Sequence, residues 1–305
     1  MASLGDIGTQ AKLRVERARA SNDLVDVVVT TFKRYSTDDG GFYAASLTYY
    51  MFFSIFPMLL FAASAIGYLS FLSLDTQEDL LRAGLEGAPL VKDILKPRVL
   101  QILKDNRGTL AIIGFVTGLY AGSGGIVAFE HALNRINRVE HEPGFVPKRL
   151  RSLKWLGVLA LAAVTSIALG AAAEFPEEVI GDAAATRALG SVLGHAAGLA
   201  VGTAVFATAF KFLTAKDLSW RAVLPGAVAA AVVFELLKIG GAFVVEQGAA
   251  GRSRTFGAFA TAAGLLVASY LLAQVTLLAA ELNAVLAERR TTRQSAMVDE
   301  RREVR

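Results

Sequence analysis

Long uncharged stretches of hydrophobic residues alternate with short polar segments along the chain. A helix rises about 1.5 Å per residue, so about 20 apolar residues are needed to cross a hydrocarbon layer about 30 Å thick. These stretches show no alternation of polar and apolar positions, which favours helices over barrel strands. The pattern predicts an all-α membrane protein with six transmembrane helices, at about residues 42–72, 109–130, 154–174, 188–211, 222–245 and 256–282.

The basic residues predict how these helices are oriented. Twenty-one Lys and Arg residues lie on the side that holds both termini, and nine lie on the other side. Because the side richer in Lys and Arg stays in the cytoplasm, both termini are expected there, in an N-in/C-in topology. The predicted parts are a cytoplasmic N-terminal segment (1–39), a six-helix transmembrane domain (40–288) and a charged cytoplasmic tail (289–305), which is expected to be disordered or a frayed helix end.

Two segments outside the spans have apolar residues at helical spacing. Before the first span, such residues share one face next to two basic residues, which predicts an amphipathic helix on the inner membrane surface. They are Leu24, Val27, Val28, Thr31, Phe32 and Tyr35. Residues 75–107, between the first two spans, are mixed in charge and contain Pro89 and Pro97. We expect one or two short external helices there, the alternative being a disordered loop.

Composition narrows the function classes. Hydrophobic residues make up 54% of the chain, and there is no cysteine, which excludes disulfides, thiolate metal sites and a Cys nucleophile. The net charge of +4 fits cytoplasmic loops beside anionic lipid, so membrane lipids rather than nucleic acid are the expected partners. The three histidines have no metal-ligand spacing, and no catalytic motif is present. No enzyme activity, metal or cofactor is expected, and His195 is interpreted as a bonded interior side chain.

Glu235 and Lys238 are the only charged residues within the fifth predicted span. They are three residues apart and therefore share one helix face. Each would cost about 2.5–3.5 kcal/mol if it faced lipid, so we expect them to face the bundle interior or a water-filled cavity. They form either part of an intramembrane polar pathway or an internal ion pair that fixes packing.

Pro57 lies inside the first predicted span. Its ring clashes with the carbonyl of Phe53 and frees that carbonyl from the helix ladder, which predicts a helix break that Ser54 or another helix can satisfy. The break is either a structural kink or a hinge.

Glycines recur every four residues in two spans. Such ridges allow close approach of helices in lipid, either within the bundle or in a homo-oligomer. The ridges are Gly114, Gly118 and Gly122 in the second span, and Gly190, Gly194, Gly198 and Gly202 in the fourth. The small residues at 122–125 also favour a bend.

Several polar residues end the second and sixth spans on the predicted cytoplasmic side, where they are expected to form one polar cluster or to be solvated helix ends. They are Glu130, His131, Asn134, Arg135, Glu281 and Asn283. Solvation is the expectation for His131. On the outer side, Arg252 and Arg254 are candidates for contact with an anionic head group, the alternative being solvation in the loop.

Several short segments, in order from about residue 25 to 288, resemble motifs of the YihY/virulence factor BrkB family, some of whose members have been labelled ribonuclease BN. They are residues 44–50 (AASLTYY), 54–57 (SIFP), 132–136 (ALNRI), 139–140 (VE), 144–145 (GF), 224–227 (LPGA), 235–238 (ELLK) and 281–284 (ELNA). Asn137, at an expected aromatic position, and Phe256-Gly257, in place of Tyr-Gly, depart from the pattern and weaken the transfer of site residues.

The resemblance implies a multi-pass protein of the bacterial inner membrane with six helices, and implies little biochemistry. The leading hypothesis is a transporter or exporter of an envelope-related molecule, lipid-like or anionic. The alternatives are a scaffold for envelope assembly, virulence or serum resistance that does not transport, and an enzyme, which the missing catalytic motifs disfavour.

Overall fold

The computed structural model describes residues 21–68, 107–180, 184–248 and 257–303, together with Glu16 and Arg19. Within these ranges the chain forms seven helices and no strand. The helices are α1 (Asp23–Thr37), α2 (Gly40–Tyr68), α3 (Arg107–Ile136), α4 (Phe145–Ile180), α5 (Ala184–Leu213), α6 (Trp220–Gly248) and α7 (Gly257–Glu303). The predicted all-α class is confirmed. Nearly all of the loop at 75–107, as well as Arg252 and Arg254, lie outside the described residues.

The six long helices pack in chain order as a closed ring. Each helix from α2 to α6 contacts the next one, and α7 returns to contact α2. The short helix α1 lies against α7 and α2. Buried core residues come from all six long helices, and they include Ala44, Leu133, Trp155, Phe210, Val223 and Leu277. Among the described residues, this core lies at the end of the bundle where five helix ends meet. We call this end, which is marked by Gly40, Ile136, Phe145, Leu213 and Trp220, the charged end.

Four of the described helices contain segments long and apolar enough to cross a membrane. These segments are Ile112–Ile136 in α3, Val192–Leu213 in α5, Trp220–Lys238 in α6 and Ala262–Met297 in α7. Helices α2 and α4 run continuously through most of the other two predicted spans. The total of six spans and the sidedness of the termini remain predictions.

The predicted amphipathic helix is α1. Its N-cap is Asn22, whose side-chain oxygen accepts hydrogen bonds from the backbone N–H groups of Leu24 and Val25 at 2.9 and 3.4 Å. Val27 and Thr31 are buried, whereas Leu24, Val28 and Phe32 on the neighbouring part of the apolar face remain exposed. The helix therefore packs on the bundle along one edge of its apolar face.

Helix α7 is the longest described element, with 47 residues. At about 1.5 Å per residue it measures about 70 Å, more than twice the thickness of a hydrocarbon layer of about 30 Å. The segment predicted as a disordered or frayed tail is the helical continuation of α7 as far as Glu303.

Candidate functional site

Glu235 and Lys238 of α6 meet a histidine of α5 within the apolar part of these helices. Glu235 is only 9% exposed. Its Oε1 lies 2.6 Å from Nζ of Lys238, and its Oε2 lies 3.6 Å from Nδ1 of His195. We call Glu235, Lys238 and His195 the intramembrane cluster. Since Glu235 lies 14 residues after Arg221, the cluster is about 21 Å along α6 from the charged end.

The glycine ridge of α5 makes room for this cluster. A Cβ atom on Gly198 would lie 2.5 Å from Oε1 of Glu235 and 3.4 Å from Nζ of Lys238. One turn further, a Cβ on Gly202 would lie 3.4 Å from the Cβ of Ala231. These two glycines therefore allow α5 and α6 to pack closely. This agrees with the interpretation of the ridge as a site of packing within the bundle.

The members of the cluster differ in their exposure. The side chains of Lys238 and His195 are 42% and 55% exposed, whereas that of Glu235 is 11% exposed. Lys238 also lies 5.4 Å from the centre of the Phe234 ring, a cation–π distance. Oε2 of Glu235 is buried and has no hydrogen bond within the described residues. An enclosed carboxylate with two accessible basic neighbours can pass a proton or exchange Lys238 for another cation.

His195 was interpreted incorrectly from the sequence as an interior bonded side chain. Its ring is more than half exposed, and its only ion-pair contact among the described residues is with Glu235. The available signal was its position three residues before Gly198, because residues three apart on a helix share a face. The sequence did not show that this face meets α6.

At the charged end, Arg34 of α1 lies among three carboxylates and a helix end. Its Nε is 3.2 Å from Oε2 of Glu281, and its Nη1 is 2.7 Å from Oε1 of Glu288. Its Nη2 donates to the carbonyl of Ile136 at 3.0 Å, at the end of α3. The side chain of Glu281 is only 1% exposed. Arg34 thus joins α1, α3 and α7.

The turn between α1 and α2 completes this group. Asp38 is buried, with its Oδ2 4.0 Å from Nε of Arg34 and 3.7 Å from Nη2 of Arg138. We call Arg34, Asp38, Arg138, Glu281 and Glu288 the Arg34 network. The next residue, Asp39, has a φ of 59°, a left-handed conformation that Asp tolerates better than most residues.

The other residues of the predicted polar cluster make separate contacts at this end. Buried Glu130 accepts a hydrogen bond from Nη1 of Arg151 at 3.1 Å. The side-chain oxygen of Asn134 accepts from the N–H of Ala215 at 2.8 Å, which ties α3 to the loop after α5. Arg135 lies 4.0 Å from Asp39. The residues thus share one end of the bundle, but the described contacts divide them into several groups.

His131 belongs to a further group after α3. Its Nδ1 is 2.8 Å from Oε2 of Glu142, and the same carboxylate contacts Lys148 of α4. His131 is half exposed, in line with the expectation of a solvated helix end, and it has in addition the contact with Glu142. Among the described residues, no group of three or more His, Asp or Glu side chains is placed to hold a metal ion.

Asn283 of α7 bonds the opening turns of α6. Its Oδ1 accepts from the N–H of Gly226 at 2.7 Å, and its Nδ2 donates to the carbonyl of Val223 at 3.0 Å. A Cβ on Gly226 would overlap the carbonyl oxygen of Ala279 and the amide of Asn283. Glycine is therefore required for α7 to come this close.

Pro225 explains a second bond across the same seam. Because proline has no N–H, the carbonyl of Arg221 loses its partner four residues later. Nη1 of Arg290, on α7, donates to that carbonyl at 2.9 Å. A side chain of α7 thus replaces the backbone bond that Pro225 removes from α6.

In α2, the helix continues through Pro57. The hydroxyl of Ser54 donates to the carbonyl of Met51 at 2.9 Å, so it does not satisfy the carbonyl of Phe53 as had been proposed. Near the middle of α3, a Cβ on Gly124 would lie 2.6 Å from the ring of Tyr50. The small residues at 122–125 therefore bring α2 close, and α3 is not unwound there.

The remaining ridge glycines are enclosed to different degrees. Gly114, Gly118 and Gly190 are buried, and Gly122 and Gly194 are partly buried. Burial within one chain supports packing inside the bundle, and a seam between copies stays an untested alternative for these five positions.

Comparison with known proteins assigns the chain to a family. The virulence factor BrkB family matches residues 31–303. The chain belongs to this family. It is 26% identical over 264 residues to YfkH of Bacillus subtilis (strain 168), whose name describes it as ribonuclease-like, with 85% of this chain and 94% of that protein covered. No solved structure matches the chain.

The BrkB assignment confirms the family resemblance seen in the sequence, and several of the resembling segments fall on helix–helix contacts. Segment 44–50 contains Tyr50, which packs against α3, and segment 132–136 contains Asn134, which bonds the loop after α5. Segments 224–227 and 281–284 meet each other through Gly226 and Asn283. Only segment 235–238 supplies charged residues within the apolar part of a helix. The BrkB description names a virulence factor and no reaction.

Proposed function

We propose that this BrkB-family protein transports or exports an envelope-related molecule, lipid-like or anionic, across the bacterial inner membrane, and that the intramembrane cluster forms part of the pathway. The observation that carries the proposal is the enclosed carboxylate of Glu235, held between Lys238 at 2.6 Å and His195 at 3.6 Å in an apolar helix pair. Ionisable residues in membrane spans commonly mark substrate or proton pathways.

The exposure of the cluster favours a pathway over an ion pair that only fixes packing. A pair with only a packing role would be most stable with both partners enclosed and fully hydrogen-bonded, because a charged group in hydrocarbon is costly. Here Lys238 and His195 each keep a large accessible fraction, and one oxygen of Glu235 lacks a hydrogen bond within the described residues. An accessible ammonium in an apolar environment attracts an anionic head group.

The experiment uses the full-length protein in proteoliposomes that contain phosphatidylglycerol with a fluorescent label on its head group. Membrane-impermeant dithionite destroys the outer label, so loss of the protected signal measures movement of this lipid between leaflets. We expect movement with the wild type and a loss of at least tenfold in Glu235→Gln and Lys238→Gln. Lys154→Gln, which removes an exposed charge from α4, is the control and is expected to keep the wild-type rate.

Two results would oppose the proposal. If wild-type liposomes lose signal no faster than protein-free liposomes, and soluble anionic envelope precursors also fail to cross, the protein is not a transporter of this class. If transport occurs and both Gln variants keep the wild-type rate and melting temperature, the cluster is outside the pathway.

A second candidate function is a scaffold for envelope assembly that does not transport. It is favoured by the extension of α7 past the bundle, where α1 lies beside it through ion pairs of Asp26 with Arg289 and of Asp23 with Arg293. A charged arm of two helices is suited to binding another protein. Crosslinking in cells from position 295 to a stable partner, without transport in proteoliposomes, would support this candidate. We do not propose ribonuclease activity.

A further inference from the structure

A groove opens between α6 and α7 and is bordered by α1. It has a volume of about 210 Å³, and nine of its ten lining residues are apolar. They include Val28 and Phe32 of α1, Ala229 and Val233 of α6, and Leu278 of α7. The tenth is Thr31, whose hydroxyl already donates to the carbonyl of Val27 at 2.9 Å. The groove therefore offers an occupant no free polar partner.

The size and openness of the groove favour part of a hydrocarbon chain. Pockets that enclose a whole small molecule usually measure about 300–1,000 Å³, more than this groove. Val28 and Phe32 border the groove and are more than half exposed, so its mouth faces the surroundings of the bundle. In a membrane, those surroundings are acyl chains.

The charges at the end of the same seam favour an anionic lipid. Two of the arginines near it are neutralised by carboxylates, Arg289 by Asp26 and Arg293 by Asp23. Arg221 and Arg290 differ, because no carboxylate of the described residues forms an ion pair with either of them. Arg290 is fixed in place by its bond to the Arg221 carbonyl at 2.9 Å, which uses one of its five N–H donors.

We propose that this seam binds an anionic phospholipid, with an acyl chain in the groove and the phosphate at Arg221 and Arg290. Basic side chains at a membrane surface bind anionic head groups, and arginine matches the geometry of phosphate especially well. The site lies on the side of α6 that faces α7, whereas Glu235 faces α5. It goes beyond the proposed transport function and does not rest on it.

The test is native mass spectrometry of the full-length protein in detergent, titrated separately with phosphatidylglycerol, phosphatidylcholine and glycerol phosphate. We expect phosphatidylglycerol to bind more tightly than phosphatidylcholine, and glycerol phosphate alone to show no binding. Arg221→Gln and Arg290→Gln should each weaken the binding of phosphatidylglycerol about fivefold, which corresponds to about 1 kcal/mol per basic residue. Arg221→Gln leaves the backbone carbonyl that holds Arg290 unchanged.

Two kinds of control separate the head group from the chain. Lys154→Gln removes an exposed cation from α4 that forms no ion pair among the described residues, and it should not change binding. Ala229→Leu narrows the groove, and Phe32→Ala removes an exposed wall of it. Both groove variants should weaken the binding of the two phospholipids to the same extent and should keep the preference for phosphatidylglycerol. Phe32→Ala tests the groove even if Ala229→Leu does not fold.

The proposal is overturned if the two phospholipids bind equally well, or if Arg221→Gln changes binding no more than Lys154→Gln does. It is also overturned if glycerol phosphate competes as strongly as the intact lipid, since the site would then be a phosphate site without a groove. A dimer that Ala229→Leu dissociates while lipid binding is unchanged would assign the groove to a second copy of the chain.

Discussion

One partly buried arginine and one buried glycine fix contacts between helices in this protein. Arg34 contacts Glu281, Glu288 and the end of α3 at once. Gly226 allows α7 to bond the start of α6. In both places the neighbouring groups are nearly enclosed, so a change at one residue leaves other polar groups without partners.

Replacing Arg34 by Gln should destabilise the protein by about 3–5 kcal/mol, because it leaves buried Glu281 without its ion-pair partner among the described residues and leaves buried Asp38 with Arg138 alone. Glu281→Gln should cost less, since Arg34 keeps Glu288 and the carbonyl of Ile136. The measurement is thermal or denaturant unfolding in detergent. Arg138→Gln is the control, because this side chain is 64% exposed and exposed ion pairs contribute at most about 1 kcal/mol. Equal losses in all three variants would contradict the prediction.

Replacing Gly226 by Ala should destabilise the protein by about 1–3 kcal/mol or more, because the added methyl group meets the backbone oxygen of Ala279. Gly157→Ala on α4 is the matched control, since no atom lies within 4 Å of the added Cβ. In the control, the better helix propensity of alanine should leave stability unchanged or slightly higher. Similar melting temperatures for the two variants would refute the tight α6–α7 contact.

At the scale of elements, the sequence predicted helices well and their partners poorly. The length of the apolar stretches indicated where helices α2 to α7 lie, because hydrocarbon thickness sets a minimum length. The spacing of Gly198 and Gly202 predicted a close contact but not that α6 makes it. Contacts such as Asn134 with Ala215 join residues 81 positions apart, and no local pattern encodes such a pairing.

The candidate site was predicted only in part for the same reason. Glu235 and Lys238 stand out in the sequence, since charges are rare in apolar spans. His195 does not stand out, because its role depends on how α5 is rotated against α6. The predicted cluster at the charged end was right about the location of its residues and incomplete about their partners, since Arg34 and Asp38 lie about 100 positions or more from Arg138 and Glu281.

Helix α1 is held on α7 by a pair of charges that should resist acid. The hydrogen bond from Arg19 and the positive charge of Arg289 lower the pKa of Asp26, although burial acts in the opposite direction. Because this pKa is lowered, ionised Asp26 stabilises the folded protein in full at any pH above the ordinary carboxyl pKa of about 3.9. That stabilisation is lost as the pH falls through the lowered pKa. The protection of α1 against hydrogen exchange, taken relative to the intrinsic exchange rate at each pH, should therefore be equal at neutral and mildly acidic pH and should fall only below about pH 4.

The variant Asp26→Asn should reduce the protection of α1 above about pH 4 to the level that the wild type reaches only in acid, and should abolish the acid-dependent step. Asp217→Asn removes a fully exposed carboxylate in the loop after α5 and is the control, with exchange in α1 unchanged. An acid-dependent step that persists in Asp26→Asn would assign the pH dependence to another group.

For the whole molecule, the ring of apolar helices and the uneven distribution of basic residues predict one orientation in the membrane. Among the described residues, the charged end collects the basic residues of α1, of the α3–α4 and α5–α6 loops and of the end of α7. By the preference of Lys and Arg for the cytoplasmic side, this end should face the cytoplasm.

The absence of cysteine allows a direct test of this orientation. In intact cells, a membrane-impermeant maleimide should label Ser253→Cys, in the predicted outer loop, and should not label Ser295→Cys, near the end of α7. Permeabilised cells should show labelling of both variants, which controls for reactivity. The reverse pattern in intact cells would invert the topology, and labelling of both would mean that the two positions share the outer side.

The bonds that α7 makes to the start of α6 also determine when the protein becomes complete during its synthesis. The ribosome makes α7 after the other described helices, yet the carbonyl of Arg221, which Pro225 deprives of its helical donor, receives its bond from Arg290 on that helix. Until α7 inserts, the fifth of the six long helices to be made carries an unbonded carbonyl at the membrane, where such groups are costly. A transcript cut short before codon 283 should therefore yield a chain that membrane proteases degrade, and the final helix acts as the checkpoint of biogenesis.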